Sequence, residues 1–387
     1  MILRSITICT KNNPNSITEA PSKIREILKK EGVDFRTMRL CLPPLDSKNA
    51  RSVVNVFSEL CLEADIRWLC APFDITTHSS SNHIEKCALK LLINYPNLFI
   101  NFILGKKSNI SWSGALTSSR MIKHISSISS SGYDNFRFGV SFNCAANGPF
   151  FPFTHQDGDD GFSIACEFVA DFINKVNEFD NFNRDYVLLK KELIKLTSDR
   201  LSLIGRIADK IEKETGLRFF GVDASLAPYP DSEINSVAKL IEVLGVESFG
   251  SYGTLHFTEY LTDIIRMSIE VSGVKSVGFN GVMYSILEDL ILSEGSRSNN
   301  YSIDSLLLFS SVCGCGIDMV PVPGSIFEEE MASMMLDVGA MSNRLNKPLG
   351  IRLLPVPMRR ANQYTQYNFD FLCNTRIKNV KNLCCCL

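Results

Sequence analysis

The sequence predicts an α/β fold made of two similar halves, which form either one barrel or one doubly wound unit. Short runs rich in β-branched and aromatic residues alternate with longer segments of helical periodicity, and the second half repeats this alternation. Between the halves, residues 184–214 carry apolar side chains at helical spacing and predict a long amphipathic helix or a broken pair of helices. Such alternation is typical of a largely parallel sheet.

The first half contains five strand candidates joined by helical segments. The strands are ILRSITIC (2–9), FRTMRLCL (35–42), IRWLCAPF (66–73), LFINFILG (98–105) and FRFGVSFN (136–143). Helices are predicted over 18–30, 51–64, 83–94 and 118–129. Because parallel neighbours need crossover connections, this order predicts a parallel half-sheet.

The second half contains four strand candidates. They are RFFGVDAS (218–225), SVGFNGVM (276–283), GIDMVPV (316–322) and LGIRLLPV (349–356), with helices predicted near 237–244, 258–271, 303–309 and 328–345. The acidic run before Phe162 predicts a helix that starts there, since aspartates favour the positive end of a helix. We therefore predict a single domain over 1–372, with halves of about 1–180 and 215–372, and a C-terminal tail over 373–387.

Composition and charge exclude several classes of function. Forty basic residues face 42 acidic ones, and no basic block is dense enough to follow a phosphate backbone, so nucleic acid is not expected as a partner. No run approaches the roughly 20 apolar residues that span a bilayer. The first residues lack the pattern of a secretory signal. A cytoplasmic protein is expected, with a small molecule as its partner and a homodimer as the assembly state to test.

Thirteen cysteines are scattered through apolar runs, which predicts buried free thiols rather than disulfides. The final CCCL places Cys384 four residues from the end, in the geometry of a prenylation box, although cysteines at both aliphatic positions are unusual for one. Cys-x-Cys at Cys313 lacks the second pair of a structural zinc site, so no metal is expected. No nucleotide-binding glycine loop is present, and no cofactor is expected.

Five strings between Phe219 and Pro357 occur in the order of a known family. They are FFGVDASLAPYPDSEINSVAKLIEVLG, FGSYGTL, VGFNGVMYSILED, SSVCGCGIDMVPVPG and KPLGIRLLPVP. On these strings the chain resembles the family called domain of unknown function 711, or uncharacterised protein family 0210. The resemblance implies a barrel of about ten strands with outer helices, like that of pyruvate formate-lyase and related glycyl-radical enzymes. It also implies that residues 310–324 form a hairpin inside the barrel, with Cys313 where radical enzymes carry a thiyl cysteine.

Radical chemistry is not expected, because the sequence lacks the residue that would store the radical. Glycyl-radical enzymes need a glycine loop near the C-terminus, and residues 352–377 contain no glycine. Met358 stands where the family commonly has a glycine after the second proline of its last strand. Met358 therefore changes the loop that would close the pocket implied by the resemblance.

Two aspartates in predicted strands are candidate catalytic residues. Asp318 lies in GIDMVPV, where a carboxylate is costly to bury without a partner, and Arg352 on the neighbouring strand is its expected partner. A structural ion pair and an acid/base role remain open for it. Asp223 poses the same question in GVDAS, with Ser225 as a substrate-binding candidate. Ligand sites form at strand ends, but Asp223 or Ser225 could instead cap a turn.

Four further residues complete the candidate site. His155 is a candidate acid/base, and Cys313 is a candidate nucleophile that could equally be a structural thiol at a helix end. His256 and Glu288, together with Arg352 named above, are candidate substrate-binding residues. Core or surface pairing is the alternative for His256, and a helix turn is the alternative for Glu288.

The leading hypothesis is a radical-free enzyme, independent of redox cofactors, that performs acid/base chemistry on a small carbonyl or enol compound. Isomerase, cyclase and lyase reactions all fit, because two carboxylates in different environments can have different pKa values, so that one donates a proton while the other accepts one. Specialised metabolism is one setting for such an enzyme. Two alternatives remain: a thiol-dependent hydrolase or acyl transferase that uses Cys313, and a non-catalytic regulatory protein that binds a small molecule.

Overall fold

The fold is built on one mixed sheet flanked by helices. A computed structural model describes residues 2–11, 13–76, 81–105, 110–179 and 185–381. Within these ranges the sheet has nine strands: β1 (Ile2–Cys9), β2 (Asp34–Cys41), β3 (Trp68–Asp74), β4 (Leu98–Gly105), β5 (Phe138–Phe142), β6 (Gly161–Cys166), β7 (Arg218–Asp223), β8 (Gly316–Pro323) and β9 (Leu349–Val356).

The strands follow the order β7-β6-β1-β2-β3-β4-β5-β9-β8. Strands β1 to β5 run parallel to one another, as the sequence predicts. The pairs β1–β6 and β5–β9 are antiparallel, whereas β6–β7 and β8–β9 are again parallel. The strands on the two sides of the first five therefore point the opposite way. The beginnings of β2, β3 and β4 consequently lie at the same end of the sheet as the end of β7.

Strand β6 was not predicted, and the helix expected at Phe162 begins instead at Val169. All six residues of β6 are buried, so the strand lacks the alternation of apolar and polar residues that would have identified it. A short buried run of this kind cannot be assigned by periodicity alone.

The predicted strand 276–283 does not join the sheet as a ladder. It forms isolated parallel bridges to β7 at Val222–Ser276 and Leu226–Val282, and Ser285 forms one to Asp318 of β8. Gly278 and Asn280 have φ values of +93° and +50°, and such residues interrupt extended pairing. The nine-stranded sheet is therefore not closed by hydrogen bonds between its edge strands.

The segment 149–156 crosses the face of the sheet opposite the helices, which we call the inner face. The Pro149 carbonyl oxygen accepts hydrogen bonds from Ser5 Oγ at 3.4 Å and Thr7 Oγ1 at 3.3 Å. Asn101 Nδ2 donates to the Thr154 carbonyl oxygen at 3.0 Å. The segment thus contacts strands across the whole first half.

Two glycines allow this segment to lie directly on the backbone of the sheet. A Cβ atom at Gly139 of β5 would approach the Phe153 ring to 2.6 Å, and one at Gly350 of β9 would do the same. The resemblance implied that residues 310–324 occupy the interior, and this is wrong. Residues 316–323 are instead strand β8, which pairs with β9.

Helices cover the other face of the sheet. They are α1 (Ala20–Lys30), α2 (Ala50–Glu63), α3 (Ser81–Asn94), α4 (Trp112–Ser126), α5 (Val169–Asn177), α6 (Tyr186–Thr215), α7 (Val237–Val243), α8 (Thr254–Ser272), α9 (Leu290–Arg297), α10 (Ile303–Phe309) and α11 (Glu328–Leu345). The long connecting segment is the single helix α6, which packs on α8 and ends at Gly216 with a φ of +73°. No helix among the described residues is both long and apolar enough to cross a membrane.

The ten cysteines in the described part of the chain are free, and seven of them are buried, which confirms the predicted buried thiols for these positions. Three of the buried ones, Cys9, Cys41 and Cys70, are register neighbours on β1, β2 and β3. Cys384 lies outside the described residues.

Lys378 lies buried beside β8. Its burial predicts that the free energy of unfolding depends on pH. Its Nζ donates to the Tyr301 carbonyl oxygen at 2.6 Å, and burial, with a smaller contribution from Arg376, lowers its pKa to about 7. The unfolded chain has a lysine pKa of about 10.4 and therefore binds more protons between pH 7 and pH 10. The free energy of unfolding of the wild type, minus that of Lys378→Met, should therefore rise between pH 7 and pH 10. The rise should be at most about 1.4 kcal/mol per pH unit.

Urea unfolding at pH 7, 8.5 and 10 measures this difference. The exposed Lys191→Met is the matched control, and its pH profile should follow the wild type. A Lys378→Met profile parallel to the wild type would contradict the prediction.

Candidate functional site

A cleft opens at the end of the sheet where β2, β3 and β4 begin. It comprises an outer space of about 720 Å³ and an inner space of about 430 Å³, and both volumes include open solvent. The two share a wall formed by Arg4, Arg39, Phe151, Glu288 and Arg352. Among the described residues, five arginines and two carboxylates line the spaces, so we call the cleft the arginine pocket.

Arg352 and Asp318 form a buried bidentate ion pair in this pocket. Arg352 Nε donates to Asp318 Oδ1 at 2.6 Å, and Nη2 donates to Oδ2 at 2.7 Å. Nη1 also donates to the Phe136 carbonyl oxygen at 2.9 Å. The predicted partnership of these two residues is therefore present. Burial opposes the charge of Arg352, but the attraction of Asp318 and Glu288 outweighs it and raises the pKa of the guanidinium.

An irregularity in β8 places Asp318 and Met319 on the same side of the strand, away from the core beneath the helices. The register with β9 shifts between Ile317 and Val320, and Met319 has a φ of +53°. Ile317 and Val320 consequently both pack into the core beneath the helices, whereas Met319 joins the cluster on the inner face. Simple alternation along the strand would not have predicted this arrangement.

Glu288 is the half-buried carboxylate at the junction of the two spaces, with a side chain 23% exposed. Its Oε2 accepts from Ser285 Oγ at 2.5 Å and from Arg352 Nη2 at 3.3 Å. Burial alone would raise its pKa, but Arg352, Arg4 and Arg39 outweigh that effect and lower it. Glu288 is thus held ionised and partly accessible.

Arg39 and Arg4 face the pocket without a carboxylate within 4 Å among the described residues. Arg39 Nε donates to Thr37 Oγ1 at 3.0 Å and Nη1 to the Pro149 carbonyl oxygen at 3.2 Å. Arg4 Nη1 donates to the Pro228 carbonyl oxygen. Enclosure by the protein, with the repulsion of Arg4 second, lowers the pKa of Arg39 to about 9. These two guanidiniums therefore give the pocket uncompensated positive charge.

Aromatic side chains surround the mouth of the pocket. The Arg36 guanidinium lies 3.6 Å from the centroid of the Tyr229 ring and is paired with Glu167 at 2.5 Å. Arg67 lies over Phe371, with 4.4 Å between the guanidinium carbon and the ring centroid. Such cation–π contacts fix the arginines without neutralising them.

A family model described as "Uncharacterised ACR (DUF711)" matches residues 15–368. The chain belongs to this family. Relatives of the DUF711 chain include UPF0210 proteins of Pyrobaculum arsenaticum, 29% identical over 174 residues, and of Oenococcus oeni, 32% identical over 167 residues. A UPF0210 protein of Methanocaldococcus jannaschii is 30% identical over 179 residues.

These alignments cover 45%, 43% and 46% of the DUF711 chain, in the order given above. The same alignments span 39%, 37% and 38% of the relatives' own lengths. The chain therefore matches about two fifths of each of these curated relatives.

Asp223 and Ser225 of the DUF711 chain lie outside the arginine pocket. The Asp223 carboxylate accepts from Ser225 N and Oγ, Phe279 N at 2.7 Å and Asn280 N at 3.1 Å. Burial raises the pKa of Asp223, and these donors oppose the rise. The carboxylate borders a separate cavity of about 210 Å³. Its bonds hold the segment around Phe279 against the end of β7.

His155 and Cys313 do not line the arginine pocket either. His155 is buried on the segment 149–156, near Cys41. Cys313 is fully buried where the chain leaves α10, and its carbonyl oxygen accepts from Lys347 Nζ at 2.6 Å. A hydrogen bond with Cys315 and the charge of Lys347 lower the pKa of the Cys313 thiol to about 6, against the opposing effect of burial. The structure therefore does not bring these two residues together with Asp318.

His256 lies on the exposed side of α8, next to Phe257. Of the eight candidate residues, the structure places Asp318, Arg352 and Glu288 in one pocket. Sequence reasoning missed Arg4 and Arg39. A signal for Arg39 was available, because it alternates with the apolar Met38 and Leu40 in a predicted strand and must therefore face away from the helices.

Proposed function

We propose that the chain is a radical-free enzyme, independent of redox cofactors, that transfers protons on a small, negatively charged carbonyl or enol metabolite. The observation that carries this proposal is the position of Glu288, a partly accessible carboxylate in a pocket where arginines outnumber carboxylates. Isomerase, cyclase and lyase reactions share this first proton transfer.

The proposed chemistry divides the pocket residues by charge. Arg4 and Arg39 would bind the anionic part of the substrate and stabilise the negative charge that develops on an enolate oxygen. Glu288 would accept the proton from the adjacent carbon, because it is ionised and within the same wall as these arginines. Asp318 would act as a positioning residue, since its bidentate bond fixes Arg352, which in turn contacts Glu288.

We further propose that the sheet and the segment 276–285 together form a ten-stranded barrel related to that of pyruvate formate-lyase. The isolated bridges to β7 and β8 support this proposal, because this one segment contacts both edge strands. Such an enclosure would place the segment 149–156 and Glu288 within a shielded site, where charge interactions are stronger than in water.

A thiol-dependent transferase is the second candidate, and the lowered pKa of Cys313 favours it. Complete burial of Cys313 and its position outside the arginine pocket count against it. A binding protein without turnover is the third candidate, and the same pocket would serve it.

Hydrogen–deuterium exchange into metabolites tests the proposal. The protein is incubated in D₂O with a panel of anionic keto and enol compounds, and mass spectrometry follows deuterium incorporation at carbon. We expect incorporation, or consumption of one compound, at rates well above those with heat-denatured protein. Saturable binding of a panel compound without exchange or consumption would support the binding protein and overturn the enzyme.

A further inference from the structure

The charges around the arginine pocket do not cancel. Arg352 is neutralised by its bidentate bond to Asp318, and Arg36 by its bond to Glu167. Arg4, Arg39 and Arg67 have no ion pair among the described residues, and Glu288 is the single lining carboxylate left to oppose them. Asp231 lies at the solvent-exposed rim, 3.4 Å from Arg36, where water screens its charge. The protein therefore leaves about two positive charges for a ligand to balance.

The positions of these arginines indicate where the anionic group of a ligand would lie. Arg4 and Arg39 border both the inner and the outer space, whereas Arg67 borders the outer one alone. An anionic group beside Arg4 and Arg39 would therefore lie next to Glu288, which belongs to the same wall.

We propose that the arginine pocket recognises a small dianion, either a phosphate monoester or a dicarboxylate, whose charge is held against Arg4 and Arg39. The inference rests on the proposed function only in placing the ligand in that pocket. Guanidiniums suit this role, because their planar arrangement of donors matches both phosphate and carboxylate oxygens.

A dianion would also change the environment of Glu288. The positive charges of Arg4 and Arg39 now stabilise its ionised form, and Arg352 and Asp318 face it from β9 and β8. A bound anion would offset Arg4 and Arg39 and make Glu288 a stronger base only when substrate is present. The pocket would thus couple recognition of the anion to proton abstraction.

Anion binding by the purified protein tests the inference without knowledge of the substrate. Titration calorimetry and thermal melts at constant ionic strength and pH 7.5 compare sulfate and malonate with nitrate and acetate. We expect saturable binding of at least one dianion, at least tenfold tighter than that of either monoanion. Binding of sulfate alone indicates a phosphate ester, whereas binding of malonate alone indicates a dicarboxylate.

Variants assign the binding to the pocket. Arg39→Met should weaken dianion binding at least tenfold, and circular dichroism without ligand should show that the variant is folded. Arg39→Lys, which keeps the positive charge, is the reserve if the methionine variant does not fold, and it should bind more weakly than the wild type. Arg206→Met removes the same charge from an exposed position on α6 and should bind like the wild type.

Glu288→Gln separates this inference from the proposed function. Loss of the opposing carboxylate should tighten dianion binding several-fold, even though proton transfer is lost. Dianion binding without deuterium exchange would overturn the proposed enzyme and leave the inference standing. Equal affinity for monoanions and dianions, or unchanged binding by the Arg39 variants, would overturn the inference itself.

Discussion

Replacement of Asp318 by asparagine is expected to lower the free energy of unfolding by about 3–5 kcal/mol. The substitution keeps the shape of the side chain but leaves the Arg352 guanidinium buried with Glu288 at 3.3 Å as its remaining carboxylate. A buried charge that loses its bidentate partner costs far more than the intact pair contributes to stability. Urea unfolding followed by circular dichroism measures the change.

Two further variants show whether the buried charge is the cause. Asp318→Leu combined with Arg352→Met removes both charges and should recover most of the lost stability. Asp171→Asn breaks a pair with Arg200 whose side chains are 26% and 31% exposed, and should cost about 1 kcal/mol or less. A loss below about 1 kcal/mol in Asp318→Asn would mean that the bidentate pair does not hold this part of the fold.

Glu288→Gln is expected to reduce deuterium exchange by about 10²- to 10⁴-fold, the usual contribution of a general base. The amide keeps the contact with Ser285 but cannot accept the proton, so the folded structure should persist. The rate of incorporation into whichever panel compound the wild type accepts is the measurement.

Matched controls show whether Glu288 acts as the base, or whether the carboxylate is structural and the Cys313 thiol is the reacting group. Glu259→Gln, on the exposed side of α8, should exchange at the wild-type rate. Cys313→Ser should also retain most of the rate, since Cys313 lies outside the pocket. If Glu288→Gln is fully active and Cys313→Ser is inactive, Glu288 is not the base and the Cys313 thiol is the essential group.

The strands that could be predicted from the sequence are those with a clear local pattern. LFINFILG and LGIRLLPV coincide with β4 and β9 residue for residue, because each is an apolar run with defined ends. Strand β6 and the broken pairing near Gly278 could not be predicted, since complete burial removes alternation and positive φ values depend on tertiary contacts.

The site was predictable where a charge stands out against apolar neighbours. Asp318 and Arg352 were identified in this way, because burial of either alone would be costly. The same argument suggested Asp223, yet backbone N–H groups of the segment near Phe279 satisfy that carboxylate. Which partner a buried charge finds depends on long-range packing, so the residue type alone could not distinguish the two aspartates.

The wall of the arginine pocket has a consequence for the order of folding during synthesis. Arg4 enters it from the first strand, and Phe371 and Leu372 enter it from residues near the C-terminal end of the described chain. Pairs so distant in sequence give a high contact order, which slows folding because long loops must close first. A chain still emerging from the ribosome can pair β1 with β2, but it cannot complete the wall of the arginine pocket before residue 372 has been added. The lining of the arginine pocket is therefore complete only after Leu372 has been synthesised and has packed against the first strands.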